Sequence, residues 1–192
     1  MCGIVGYVGP KVDGRALEVV MEGLARLEYR GYDSAGVALV AGNHVVTMKR
    51  AGKLVNLTTA LAQAPLPESS AGIGHTRWAT HGAPTNENAH PHRGGVDGKL
   101  ALIHNGIIEN FHGLKSGLIA DGVTFLSETD TEVVAQLLAR SYDTTGDLTE
   151  AMRQVVGALE GAFTLLAVHA DQPGVVVGAR RNSPLVVGLG EG

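Results

Sequence analysis

The chain has 192 residues, 44% of them hydrophobic, which suffices for one domain with a proper core. Its 15 basic and 19 acidic residues leave a net charge of -4, so it lacks the positive field that nucleic acid or an anionic membrane surface requires. A single cysteine, Cys2, excludes an internal disulfide and suits a reducing compartment, and neither a membrane-spanning apolar run nor a signal peptide is present, so a cytoplasmic protein is expected.

Gly3 to Val8 reads as a first strand closed by a turn at Gly9-Pro10. From Asp13, a plausible N-cap, Leu17, Val20, Met21, Leu24 and Leu27 recur at helical spacing until about Tyr29. Gly36 to Val40 and His44 to Lys49 are strand-like and separated by Ala41-Gly42-Asn43, which predicts a hairpin. A short helix is expected over Leu54 to Ala62, a polar connection over 64–70, and a strand from Ile73 to Thr76. Residues 82–99 carry Gly, Pro, Asn and His without periodicity, and a stretch of that length usually marks a functional loop. A strand resumes over Leu100 to His104. Helices are then expected over Phe111 to Ala120, Thr131 to Tyr142 with Thr129-Asp130 as its start signal, and Leu148 to Leu159. Strand-like runs close the chain at Ala162 to His169, Gly174 to Ala179 and Leu185 to Leu189. Hairpin strands first, helices in the middle and strands again at the end predict an α+β fold.

Cys2 carries the sharpest chemical signal. Removal of Met1 would place a thiol and a free α-amine on one residue, a nucleophile with its own base. The two groups titrate near roughly 8.5 and 8, so small environmental shifts supply a thiolate and a neutral amine. The competing reading makes Cys2 a small apolar residue at the start of a buried strand.

The surrounding motifs are MCGIVGYVG at the start, RLEYRGYDSAG over 26–36, HTRWATHG over 75–82, NENAHPH over 86–92, HNGIIEN over 104–110 and SETDTE over 127–132. Together they resemble the class II glutamine amidotransferases across nearly the whole chain. Tyr29 to Asp33 and Arg77 to His81 are similar in particular to the branch that makes glucosamine 6-phosphate.

That resemblance implies the N-terminal nucleophile (Ntn) hydrolase fold, a four-layer αββα sandwich of two antiparallel sheets between helical layers. It also implies L-glutamine as substrate, hydrolysed to glutamate and ammonia through a thioester on Cys2. Asn105 and Gly106 match the oxyanion hole, although Asn-Gly alone is also a turn signal. Arg77 matches the residue that binds the substrate α-carboxylate, with a surface ion pair as its alternative. Asp130 matches the receiver of the α-ammonium, a role compatible with that of a charge at a helix N-terminus. Arg30 and Gly31 match a loop near the nucleophile, and Trp78, Thr80 and His81 match a lid over glutamine; ordinary core is the other reading of Trp78. His90 is counted with the substrate-binding residues. His81, His90 and His92 could suggest a metal site, but no Cys or spaced carboxylate completes a ligand set, so neither metal nor cofactor is expected.

The family passes ammonia to a C-terminal isomerase domain, converting fructose 6-phosphate to glucosamine 6-phosphate, in a full-length enzyme that can be a homodimer. Residues 1–192 correspond to the glutaminase domain, and Gly188 to Gly192 fall before its last strands, so a fragment without the isomerase domain is expected. Two readings compete with an active glutaminase: a domain serving another acceptor, against which Tyr29 to Asp33 and Trp78 to His81 argue, and a silent glutamine-binding or interface module.

Overall fold

The computed structural model describes residues 2–78 and 82–190. In chain order these form β1 (Gly3–Asp13), α1 (Arg15–Leu27), a 3-10 turn (Glu28–Arg30), β2 (Ser34–Ala41), β3 (His44–Ala51), α2 (Leu54–Gln63) and β4 (Ser69–Arg77). There follow β5 (His92–Gly94), β6 (Leu100–Ile108), α3 (Phe111–Ala120), α4 (Asp130–Thr145), α5 (Leu148–Ala158), β7 (Gly161–His169) and β8 (Val177–Arg181). The strands make two four-stranded sheets, ordered β1-β4-β2-β3 and β5-β6-β7-β8. Every pairing within them is antiparallel.

The layering follows from the two-residue period of side chains along a strand. In β6, Leu100 and Leu102 face α3, α4 and α5, while Ala101 and Ile103 face the other sheet. In β7, Leu165 and Ala167 face those helices, and Leu166 and Val168 face inward between the sheets. In β2, Ala38 and Val40 join that inter-sheet core, whereas Ala35 and Val37 pack with Val20 and Leu24 of α1 and Leu54 and Leu57 of α2. The order is therefore α1/α2, first sheet, second sheet, α3/α4/α5, the expected αββα sandwich. With both faces covered, β2 does not alternate and is buried along its whole length. Each fully buried Leu or Ile stabilises this arrangement by roughly 1.5–3 kcal/mol.

Several local expectations are corrected. β1 runs through Gly9-Pro10 instead of turning there. It is an edge strand and its register slips between Val8 and Asp13, so the missing proline N–H costs no ladder bond. Asp13 is not the N-cap: α1 follows Gly14, and the Asp13 carboxylate accepts the Arg15 N–H at 3.0 Å from just outside the helix. β4 starts at Ser69, ahead of Ile73, and β6 continues past His104 to Ile108. β5 lies inside the stretch read as irregular. The segment Gly174 to Ala179 is displaced to Val177–Arg181, and Leu185 to Leu189 forms no strand. Asn182 at φ 54° turns the chain away at the end of β8, and only Leu185 packs back against the inter-sheet core while Val186, Val187 and Leu189 are exposed.

The start of α4 holds as expected and is more elaborate than the sequence pattern implied. Thr129 Oγ1 accepts the Glu132 N–H at 3.3 Å. The buried Glu132 carboxylate in turn accepts the Leu126 N–H at 2.9 Å, and the Ser127 N–H and hydroxyl at 2.6 Å each. The Thr129 cap and the carboxylate's hold on residues 126–127 fix where the helix begins, and therefore where Asp130 sits.

Candidate active site

Pairing of β1 with β4 brings Cys2 beside Arg77 and Trp78, because Gly3 lies opposite Thr76. The Cys2 thiol faces the Trp78 carbonyl at 3.6 Å, and its sulfur accepts the Trp78 N–H at 3.3 Å. From the second sheet, β6 supplies Asn105, whose side-chain amide donates to the Cys2 carbonyl at 3.3 Å. The two sheets and the N-terminus of α4 thus meet around a cavity of about 370 Å³ lined by Cys2, Arg77, Trp78, His90, His104, Asn105, Gly106, Ile107, Thr129, Asp130 and Thr131. That volume suits a small metabolite.

Burial pushes the Cys2 thiol above its ordinary value, and the nearby Asp33 carboxylate adds to this; the Trp78 N–H and the Arg77 charge act in the opposite direction. The resting thiol is held protonated and needs a base close at hand.

Gly106 sits at φ +133°, and a Cβ there would lie 2.1 Å from the Ala162 carbonyl oxygen. Only glycine keeps β6 in register with β7 at this point while turning its backbone toward the cavity. Arg77 and Asp130, each about 4% exposed, place opposite charges on the wall of one cavity. The Arg77 guanidinium donates to the carbonyls of Gly82 and Ala83, both at 3.3 Å. Asp130 opens α4 and accepts the Ile108 N–H at 3.0 Å, so the reading as a helix N-terminal charge also holds. His104 Nδ1 lies 3.0 Å from the Thr131 hydroxyl and 3.7 Å from the Asp130 carboxylate. Such a cavity can hold a zwitterion at both its charges and present a carbonyl to the sulfur.

From His90 on the cavity wall, the imidazoles of His75, His90 and His92 are packed ring against ring, with centroids 4.2 Å apart for His75 and His90 and 5.0 Å for His90 and His92. Burial drives the His75 imidazole down to about 3, helped by His104 and Arg77; burial and the neighbouring imidazoles hold His90 well below the usual range, and burial with the Lys49 and Arg77 charges does the same for His92. These histidines are neutral at pH 7. Among the described residues no group of three or more His, Cys, Asp or Glu side chains is arranged to hold a metal ion.

The sequence-predicted residues fare differently. Cys2, Arg77, Trp78, His90, Asn105, Gly106 and Asp130 all reach the cavity wall. Trp78 is 47% exposed and meets Tyr32 edge-on at 5.2 Å, so it is not ordinary core. Arg30 and Gly31 do not line the cavity. Gly31 instead backs onto the main chain of Arg77, where a Cβ would lie 2.7 Å from the Arg77 carbonyl carbon, and the next turn is tied there by the Asp33 N–H to the Arg77 carbonyl at 3.2 Å. Thr80 and His81 lie outside the described residues. Sequence reasoning missed His104, Ile107, Thr129 and Thr131. The available signal was adjacency, since His104 precedes Asn105 and both threonines flank Asp130.

A family described as glutamine amidotransferase domain matches residues 75–188. Among curated proteins, the glutamine–fructose-6-phosphate aminotransferase (isomerizing) of Streptomyces coelicolor is 66% identical over 192 residues, all of this chain and 31% of that protein. Its counterpart from Leifsonia xyli is 65% identical with the same coverage. The chain thus spans about a third of the length of these relatives. Among solved structures, the glutamine phosphoribosylpyrophosphate amidotransferase of B. subtilis matches 88% of this chain and 35% of its own at TM-score 0.68 and 29% identity. A structure described as the allosteric regulatory enzyme of purine biosynthesis matches 88% of this chain and 36% of its own at TM-score 0.72 and 28% identity.

Proposed function

The chain belongs to the glutamine amidotransferase family, and from that premise we propose that it hydrolyses L-glutamine to glutamate and ammonia, with Cys2 as nucleophile. The observation that carries this reading is the meeting, in one cavity, of a thiol, two oxyanion-hole candidates on β6 and a buried pair of opposite charges.

Arg77 would take the glutamine α-carboxylate and Asp130 the α-ammonium, which leaves the γ-amide to reach Cys2. The α-amine takes the thiol proton, and attack by the resulting Cys2 thiolate forms the C–S bond and moves the carbonyl electrons onto oxygen, where the Asn105 amide and the Gly106 N–H would stabilise them. Collapse breaks the C–N bond. The leaving nitrogen takes a proton from the Cys2 α-ammonium and departs as ammonia, leaving a γ-glutamyl thioester. Water then attacks the thioester carbonyl and gives up a proton to the α-amine; collapse breaks the C–S bond and releases glutamate, with the sulfur leaving as thiolate beside the α-ammonium. Removal of Met1 is required for this route, since a peptide nitrogen is not a base. His90, His104 and Trp78 would wall the reaction off from solvent.

In the longer protein, the ammonia is proposed to serve conversion of fructose 6-phosphate to glucosamine 6-phosphate, with the acceptor chemistry in an isomerase domain outside residues 1–192. Support comes from the activity named for the relatives that this chain matches over its whole length. A cytoplasmic setting is supported by the unpaired Cys2.

The test is intact mass before and after exposure to 6-diazo-5-oxo-norleucine, paired with glutamate release from glutamine. Loss of Met1, one adduct on Cys2 and hydrolysis that vanishes in Cys2→Ala are expected. Undiminished turnover in Cys2→Ala would overturn the proposal.

A further inference from the structure

Lys49 stands on β3, the edge strand of the first sheet, and its side chain takes no part in the chemistry proposed above. Its Nζ donates to two main-chain carbonyls of the segment that follows β4, Glu87 at 3.0 Å and Ala89 at 2.8 Å. Among the described residues no carboxylate lies within ion-pair distance of it. Burial pushes its ammonium down to about 8, against the attraction of the more distant Glu132 and Glu87. It remains charged at pH 7.

A surface lysine ordinarily leaves its ammonium in water. Here the half-buried side chain turns its charge onto two backbone oxygens, so the local fold accepts a partial desolvation penalty in exchange for fixing that segment. The segment matters to the site at both ends. Gly82 and Ala83 supply the carbonyls that orient the Arg77 guanidinium, and His90, next to Ala89, is part of the cavity wall. Two further ties keep it in place: the Ala51 N–H donates to Asn86 Oδ1 at 2.8 Å, and the Asn88 amide donates to the Glu128 carboxylate at 3.2 Å. Gly36, opposite Lys49 in the β2–β3 pair, makes room for the contact, since a Cβ there would lie 2.2 Å from the His90 carbonyl oxygen.

We infer that Lys49 is a positioning residue for glutamine recognition: its ammonium clamps residues 87–89 to β3, and through that segment holds Arg77 and His90 in their substrate-binding places. The inference rests on the proposed glutaminase reading, in which Arg77 anchors the α-carboxylate. Lys49 itself touches no substrate.

Steady-state glutamine hydrolysis by Lys49→Met and Lys49→Arg, with thermal unfolding alongside, tests it. Loss of two charge-assisted hydrogen bonds at a distance from the reacting atoms should raise KM for glutamine about tenfold or more in Lys49→Met, with kcat within about threefold of the parent. Lys49→Arg keeps the charge and can reach both carbonyls, so it should restore KM to within about threefold. Should Lys49→Met fail to fold, Lys49→Gln, with one amide donor group and no charge, gives the same comparison. A folded, uncharged variant with unchanged KM, or one that loses kcat with KM intact, overturns the inference. A parent protein that folds and has lost Met1 but hydrolyses no glutamine would overturn the glutaminase reading instead.

Discussion

The sulfur of Cys2 lies 3.3 Å from the backbone nitrogen of Trp78, within hydrogen-bond reach of the residue that follows Arg77. The end of β4 therefore supplies a donor to the nucleophile and, one residue earlier, the guanidinium that lines the same cavity. That single N–H only partly offsets burial, and the thiol stays above its ordinary value. Alkylation of Cys2 by iodoacetamide, followed by intact mass, should accordingly still be accelerating as the pH rises through 9. A rate that levels off below pH 8 would contradict this environment.

Gly106 permits a sharp test of the β6 backbone. In Gly106→Ala, the new methyl would meet the Ala162 carbonyl in a conformation that side chains rarely adopt. Strain of this kind costs roughly 1–3 kcal/mol. Urea denaturation should show a loss in that range, and any folded fraction should have lost glutamine hydrolysis because the Gly106 N–H is displaced.

Asp130 is buried, and its carboxylate holds the Ile108 N–H at 3.0 Å. Asp130→Asn keeps an oxygen for that bond but removes the charge offered to the substrate ammonium. KM for glutamine should rise by about a hundredfold, with the melting temperature nearly unchanged. An unchanged KM would assign Asp130 to the helix terminus alone.

The histidine layer at the cavity makes stability depend on pH with a definite sign. His75 titrates near 3 in the fold, and near its ordinary 6.5 once unfolded. Between those values the unfolded chain binds the extra proton, so stability rises with pH across the window and is lost on acidification below about 6.5. Each histidine kept neutral adds up to about 1.4 kcal/mol per pH unit within its window. The depressed His90 and His92 act in the same direction. Denaturation midpoints at pH 7, 6, 5 and 4 should fall progressively, and His75→Gln, if folded, should flatten the decline.

Much of the site was legible because its parts lie in short contiguous motifs. Cys2 stands out by position, Asn105-Gly106 and Arg77 by the residues around them, and Asp130 by the start signal of its helix. The α+β class was legible as well, since side-chain periodicity is a local property and marks helices and strands directly. Even so, edges were misjudged where pairing decides them: β1 tolerates Pro10 because no strand among the described residues pairs with its outer side, and Leu185 to Leu189 is apolar yet forms no strand.

What only the tertiary structure decided is which of these residues meet. Cys2 and Asn105 are 103 positions apart, and their contact exists because two sheets are stacked through the core of Ile73, Ile103 and Leu166. Pairing of β2 with β4 sets Gly31 behind Arg77 instead of in the cavity, and the path of the chain after β4 packs His90 and His92 with His75 in a neutral layer and brings the carbonyls of Glu87 and Ala89 to the Lys49 ammonium. Local pattern specifies each strand's faces, but the neighbour on each face is set by burial summed over the whole chain.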